Sequence, residues 1–285
     1  MSIQYTKQTQ PGRVGKSLVA ALAIFFASIV AVVGGANVQP ANAAAMNGFT
    51  QVSVGNSFTC ALKSDGTVWC WGYNNVGQLG NGTTTNASRP VQVTGLTNAT
   101  QVASADTASC ALKSDGTVWC WGGGRLGNGS AAGSTVPVRV SDLTTAIQIS
   151  GKYEHFCALK SDQNVVCWGW NALNIMGDST GTDRLVPTAP NPALPMGAVQ
   201  VSSGVYGTSV LLTDGTVRSW GAGNNGALGD GNNTYSTSTK TAPLNLSTVS
   251  KISGGPGWGN LCAIETTGSV VKCWGLNNNG QLGIG

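Results

Sequence analysis

Charge is scarce in this 285-residue chain: Asp, Glu, Lys and Arg make up 9% of it, against about 25% in an ordinary domain. So few charges exclude a charged disordered tail. They also exclude a bundle of long amphipathic helices, whose wetted faces are built from such residues. Histidine is scarcer still, with only His155, which argues against metal centres and acid–base catalysis built on histidine clusters. No Cys-x-x-Cys motif is present, so the usual redox spacing is missing. The charge-free apolar run from Leu18 to Val33 stops at 16 residues, short of the roughly 20 that span a bilayer.

That run has a different meaning. Lys7, Arg13 and Lys16 precede it, and the small residues Ala43, Ala44 and Ala45 follow, offering cleavage after Ala43 or Ala45. The pattern predicts a secretory signal peptide over residues 1–43 and a mature domain over 44–285. Left uncleaved, the peptide would be a membrane anchor, the one route to a membrane. Its removal leaves twelve basic residues against eleven acidic, a balance of +1, with no cluster of Lys or Arg. Phosphate backbones demand such a cluster, so nucleic acid is not an expected partner.

What the chain has in quantity is glycine (41), tryptophan (9) and cysteine (8), and they recur together. The segment Cys60 to Gly72 returns unchanged as Cys110 to Gly122, with weaker copies at 157–169, 209–221 and 262–275. The Trp-Gly pairs begin at Trp71, Trp121, Trp168, Trp220 and Trp274, in steps of 50, 47, 52 and 54. In four copies Leu79, Met176, Leu228 or Leu282 stands eight residues after that Trp and is followed by Gly; in the second copy Leu126 comes after five. Between the cores lie short extended runs, such as Pro90 to Val93 and Pro137 to Val140, then Gln101 to Ala103 and Gln148 to Ser150. Each unit therefore predicts four short strands joined by Gly, Asn, Ser and Thr turns. A period near 50 with four strands per unit predicts an all-β chain of β-propeller blades, with five units present.

The core hairpin can be derived further. Lys113 and Thr117 flank Ser114, Asp115 and Gly116, a three-residue loop closed by a left-handed glycine. The register then pairs Leu112 with Val118, Ala111 with Trp119, and Cys110 with Cys120. The cysteines fall on a non-hydrogen-bonded pair, where Cα atoms lie about 4.5 Å apart, within reach of a disulfide. Cys110, Leu112, Val118 and Cys120 share one face; Ala111, Trp119 and Trp121 share the other. Both are apolar, as in a sheet enclosed by two neighbours. The eight cysteines form four such pairs: Cys60–Cys70, Cys110–Cys120, Cys157–Cys167 and Cys262–Cys273. The fourth copy carries Ser209 and Ser219 at both positions, so the two sites change together. The last pair has one extra residue, which predicts a bulge or a different turn. Nine intervening residues do not match zinc-knuckle spacing, so no metal and no cofactor is expected.

The pattern Ala-Leu-x-x-Asp-Gly-x-Val-x-x-Trp-Gly, then Asn-x-x-Gly-Gln-Leu-Gly, is fullest over Ala61 to Gly80. It resembles the regulator of chromosome condensation repeat family, and His155 to Leu159 fits that family's His before the Ala-Leu strand. The resemblance runs from Gly48 to Gly285 over five copies. It implies a β-propeller, usually seven-bladed; seven blades at this period need roughly 350 residues, so five units imply an incomplete, smaller or open ring. Kelch repeats share the period, but their regular Gly-Gly doublet is missing. The family's nuclear member acts on a small GTPase and on chromatin, which a signal peptide, disulfides and near-neutral charge do not fit. The compartment matches better that of the family's secreted bacterial inhibitor of β-lactamase.

No catalytic constellation emerges. Glu154 precedes His155, but neighbours in a strand face opposite sides. Asp65, Asp115, Asp162 and Asp214 occupy the equivalent hairpin turn, where Asp serves the backbone. The Asp230 to Thr234 stretch lacks the further oxygen ligands of a calcium loop. The turn before each Cys strand varies while the framework does not, and carries Phe58, then Tyr153 and His155, then Tyr206, then Trp258. Equivalent turns lie on one rim of a propeller, and aromatic residues anchor interfaces. The alternative is that these rings fold back onto neighbouring turns. A second loop set follows each Trp-Gly and includes Tyr73, Asn74, Trp170 and Asn171. The expectation is a secreted or cell-surface, non-enzymatic scaffold that binds another protein through this rim. A secreted inhibitor of a β-lactamase or protease, and a glycan-binding surface protein, are the alternatives.

Overall fold

The structure is a computed structural model that describes residues 46–233, 237–255 and 260–284. The expected signal peptide and Trp258 lie outside these residues. The chain divides into a unit of residues 1–46 and a unit of 47–285, and the second holds every described strand. Blade 1 is β1 (Phe49–Val54), β2 (Phe58–Lys63), β3 (Val68–Gly72) and β4 (Ala87–Gln92). Blade 2 is β5 (Ala99–Ser104), β6 (Ala108–Lys113), β7 (Val118–Gly122) and β8 (Ser134–Arg139). Blade 3 is β9 (Ala146–Lys152), β10 (His155–Lys160), β11 (Val165–Gly169) and β12 (Arg184–Thr188). Blade 4 is β13 (Ala198–Ser203), β14 (Gly207–Leu212), β15 (Val217–Gly221) and β16 (Thr237–Thr241). Blade 5 is β17 (Val249–Gly254), β18 (Asn260–Glu265) and β19 (Val271–Gly275). Each is an antiparallel meander in chain order; among the described residues blades 1 to 4 have four strands and blade 5 has three.

Local chemistry sets the hairpins. The Lys113 N–H donates to the Thr117 carbonyl at 2.9 Å, and Gly116 at φ 77° turns the chain. Any Cβ there would lie 2.4 Å from the Thr144 carbonyl oxygen, so only glycine fits. Asp115 accepts from the Thr117 hydroxyl at 2.6 Å and amide at 3.0 Å, which holds its carboxyl below the usual range. Four disulfides, Cys60–Cys70, Cys110–Cys120, Cys157–Cys167 and Cys262–Cys273, cross the central pair of strands with Cα atoms 4.0–4.1 Å apart. Blade 4 has Ser209 opposite Ser219, their hydroxyls 2.8 Å apart. In the fifth hairpin the Glu265 N–H reaches the Val270 carbonyl, so the loop holds four residues, 266–269.

The two faces of every blade have different tasks. Cys60, Leu62, Val68 and Cys70 pack on Val102, Ala111 and Trp121 of the next blade. Blade 2 repeats this on Ile149, Ala158 and Trp168, and blade 3 on Val201, Val210 and Trp220. The cysteine face thus looks forward and the tryptophan face backward. The Leu-Gly pair after each Trp, Met176-Gly177 in blade 3, completes the joint. A Cβ on Gly80 would sit 2.7 Å from the Trp121 ring, and Gly127, Gly177 and Gly229 stand likewise against Trp168, Trp220 and Trp274. Dropping the side chain lets a flat indole lie on backbone, and the Trp121 Nε1–H donates to the Gln78 carbonyl at 2.9 Å.

A glutamine clamp runs along the first strands. The Gln101 Nε2–H donates to the Ile149 carbonyl at 2.9 Å, and its Oε1 accepts the Ile149 N–H at 2.8 Å. Gln51 holds Val102, Gln148 holds Val201 and Gln200 holds Ile252 in the same way. Each clamp contributes about 1–3 kcal/mol net, as two hydrogen bonds to otherwise unpaired backbone. Lys251 takes the glutamine's place in blade 5. The described blades do not close on one another: Val52 and Val54 on the tryptophan face of blade 1, and Val271 on the cysteine face of blade 5, are more than 60% exposed.

Candidate functional site

The turn entering each second strand and the loop leaving each third strand lie at the same end of a blade. Backbone bonds tie them together: Tyr73 N–H to Ser57 O, Gly123 N–H to Thr107 O, Trp170 N–H to Glu154 O and Ala222 N–H to Tyr206 O, at 2.8–2.9 Å. Adjacent blades are tied too, with Asn56 N–H donating to Asp106 O at 3.1 Å and Asp106 N–H to Tyr153 O at 2.6 Å. The result is one rim, carried on the rigid hairpins beneath it.

Three aromatic rings meet there. Tyr153 stands edge-on to Trp170, centroids 5.4 Å apart, and to Tyr206 at 5.2 Å; Trp170 and Tyr206 are 6.1 Å apart. All three are half-buried, and each pair contributes about 0.5–1.5 kcal/mol beyond its buried area. Burial, followed by the charges of Tyr206, Glu154 and Asp106, pushes the Tyr153 hydroxyl pKa above its ordinary value. Tyr153 also holds a left-handed backbone, φ 54°, an unusual and strained choice for a bulky side chain. Arg125, likewise left-handed at φ 62°, lies alongside. Its guanidinium spans Asp183 at 2.5 Å and Glu154 at 3.2 Å. At this exposure the ion pairs add little stability; they fix where the arginine points.

The loops behind the rings are built on asparagine. The Asn74 amide donates to the Thr83 and Thr85 carbonyls at 3.0 Å, while its oxygen accepts the Leu79 N–H at 2.9 Å. Asn171 does the same in blade 3, with Asp178 and Thr182 as acceptors. Burial alone would raise the Asp178 pKa, but hydrogen bonds from Arg184, Asn171 and Thr180 outweigh it and hold the carboxyl below its usual value. Arg184 and Asn171 thereby occupy the oxygens a cation would need. A shallow notch of about 190 Å³ continues the rim past Tyr73, Val76, Asp106 and Asn56.

The expected rim residues separate. Tyr153 and Tyr206 are on the rim and touch. Phe58 and His155 are not surface residues: they begin second strands, point into the joints, and are 3% and 0% exposed. Trp170, expected in a separate loop set, completes the cluster. The signal for it was the hairpin itself, since the two ends of a hairpin away from its loop must be neighbours. His155 places Nε2 3.4 Å from the Thr208 hydroxyl, which itself donates to the Ile175 carbonyl at 2.7 Å. Burial pushes its pKa down to about 4, so it sits as a neutral joint residue between blades 3 and 4. Among the described residues no group of three His, Cys, Asp or Glu side chains could hold a metal ion.

Two profiles described as the regulator of chromosome condensation (RCC1) repeat match this chain, one over residues 65–112 and 115–159, the other over 49–78, 99–128 and 146–174. The crystal structure of human WBSCR16 superposes with a TM-score of 0.74 and 25% identity, covering 83% of this chain and 64% of that one. Yeast RCC1 (Prp20), crystallised with Kap60, gives 0.63 and 22%, covering 73% of this chain and 52% of its own. Prp20p from Saccharomyces cerevisiae, reported with its binding to Gsp1p and histones, gives 0.52 and 20%, covering 83% and 74%. This chain thus spans less than two thirds of the first two proteins, and the yeast likenesses are likenesses of fold.

Proposed function

We propose that this chain, which belongs to the regulator of chromosome condensation (RCC1) repeat family, is an exported, non-catalytic scaffold that holds another protein on the rim formed by Tyr153, Trp170 and Tyr206. An RCC1-like propeller is suited to protein interaction, and structural neighbours are known in complex with protein partners or with reported binding to them. The observation that carries the finer reading is the aromatic cluster. It is half-exposed, rigidly mounted, fringed by Arg125, Glu154 and Asp183, and centred on a residue held in a strained backbone. Large rings on a pre-organised support, ringed by charge, are the composition of an interface anchor. Four disulfides fit an oxidising compartment, and no helix among the described residues is long and apolar enough to cross a membrane.

The rim can be tested by carrying Tyr153→Ala and Trp170→Ala separately through capture from the extracellular fluid of the source cells. Each variant is expected to lose the captured partner at least tenfold with a melting temperature near that of the parent. Equal capture by parent and both variants, with folding intact, would place the interface elsewhere.

A further inference from the structure

We infer that the notch between blades 1 and 2 is a binding site for the ring of a neutral sugar, stacked on Tyr73. The site is separate from the aromatic cluster and does not rest on the function given to that cluster. The two places are built alike, however, and the cluster shows what the notch is. The backbone bond from Tyr73 N–H to Ser57 O matches that from Trp170 N–H to Glu154 O. Tyr73 therefore stands where Trp170 stands, and Asn56, just before Ser57, stands where Tyr153 does. In the following blade the bond from Gly123 N–H to Thr107 O matches that from Ala222 N–H to Tyr206 O, so Thr107 stands where Tyr206 does. Between blades 3 and 4, then, Trp170 has two other rings against it, at 5.4 and 6.1 Å. Between blades 1 and 2 the ring is kept, and both of its companions are replaced by small polar residues. Blades 2, 4 and 5 carry Gly123, Ala222 and Leu276 at the ring position instead.

The exchange leaves a space of about 190 Å³, bordered by Tyr73 at 42% exposure. That volume suits one six-membered ring and falls below the roughly 300 Å³ of the smallest drug-sized pockets. The lining says which kind of ring. Asn56 Oδ1 accepts the Ser57 hydroxyl at 3.4 Å, and Asn75 Oδ1 accepts the Gln78 side-chain N–H at 3.3 Å. Both asparagines line the notch, and their oxygens are taken, so they present N–H groups to a ligand. Asp106 lines it too, and among the described residues no donor is bonded to its carboxylate. Its backbone is held from both sides, by the Asn56 N–H and by the Tyr153 carbonyl. Two donors and a charged acceptor therefore converge beside an aromatic face. An ammonium group would satisfy the carboxylate but offers the asparagines no acceptor, and a phenol brings a single hydroxyl to the whole lining. A pyranose brings a C–H face for the tyrosine and, around its edge, several hydroxyls that both donate and accept. The bond to Asp106 is charge-assisted and so the strongest of the set.

The methyl glycosides of glucose, mannose, galactose and N-acetylglucosamine are the probes, each titrated into the full chain and followed by saturation-transfer NMR and calorimetry. At least one is expected to bind saturably, with transfer strongest at the ring C–H protons of one face. Tyr73→Ala and Asp106→Asn should each weaken that binding at least about tenfold, the scale of a lost ring face or charge-assisted hydrogen bond. Tyr73→Phe, which restores the ring, should recover what Tyr73→Ala loses. The panel is run on the unaltered protein, so it decides the matter even where a variant folds poorly. No protein partner is present, so the result stands apart from capture on the aromatic cluster. Saturable binding by none of the four, undiminished binding by folded Tyr73→Ala, or tighter binding of N-acetyltyrosinamide than of every glycoside would overturn the site.

Discussion

Replacing Ser209 and Ser219 together by cysteine is expected to install the staple that blade 4 lacks. The two serines are partners in register, on the pair occupied by disulfides in the other four blades. Those bridges sit between Cα atoms 4.0–4.1 Å apart, so closing a fifth requires no backbone movement in an equivalent hairpin. A closed loop of this length removes about 3 kcal/mol of unfolded-chain entropy on the polymer model. Against it stands the hydroxyl–hydroxyl bond at 2.8 Å, whose loss costs about 1 kcal/mol. The net gain of about 2 kcal/mol corresponds to a rise in melting temperature of about 4–8 °C for a unit of this size. Calorimetry on the oxidised double variant, with its mass mapped without reduction, reads both quantities. An unbridged pair, or a bridged pair that melts no higher than the parent, would refute the shared geometry of the five hairpins.

Gln101→Leu removes one clamp and leaves the Ile149 N–H and C=O without their partner; a loss of about 2 kcal/mol, read as a lower urea midpoint with unchanged slope, is expected. A midpoint within error of the parent would show that the clamp adds nothing to the joint. Acid should act on the joint between blades 3 and 4. His155 is neutral when folded, its pKa lowered from 6.5 to about 4, so the unfolded chain takes up the proton first as pH falls. The stability is fully present above pH 6.5 and is lost between there and about 4, by about 3 kcal/mol for this group. His155→Asn should flatten that part of the urea-midpoint profile, and parallel profiles for the two proteins would count against it.

The sequence told most about what repeats within a unit. Cys110 and Cys120, the Asp115 turn and the two apolar faces follow from strand alternation and one loop length, because a hairpin is short-range and its register leaves little freedom. Contacts between units were less visible. The eight-residue step from Trp71 to Leu79 could be counted, yet its meaning needs Trp121 of the following blade, which arrives 42 residues later. The glutamines of the first strands were visible only as part of an extended run, since nothing local says that Gln101 reaches Ile149. Phe58 and His155 stand just before the Ala-Leu pattern and so read as rim residues, but the strand starts with them and alternation turns them inward. Trp170 and Tyr153 fall in different loop sets when read along the chain, since sixteen residues lie between them, although the two ends of a hairpin away from its loop are side by side.

Because cysteine faces only ever meet tryptophan faces, the array has a direction, like a row of cups each seated in the one before. Any unit presents to its successor the surface that the unit ahead of it presented in turn. Cutting out a whole repeat would therefore leave two surfaces that already fit, whereas cutting within one would leave none. Such a chain can be lengthened or shortened in steps of one unit without redesigning what remains.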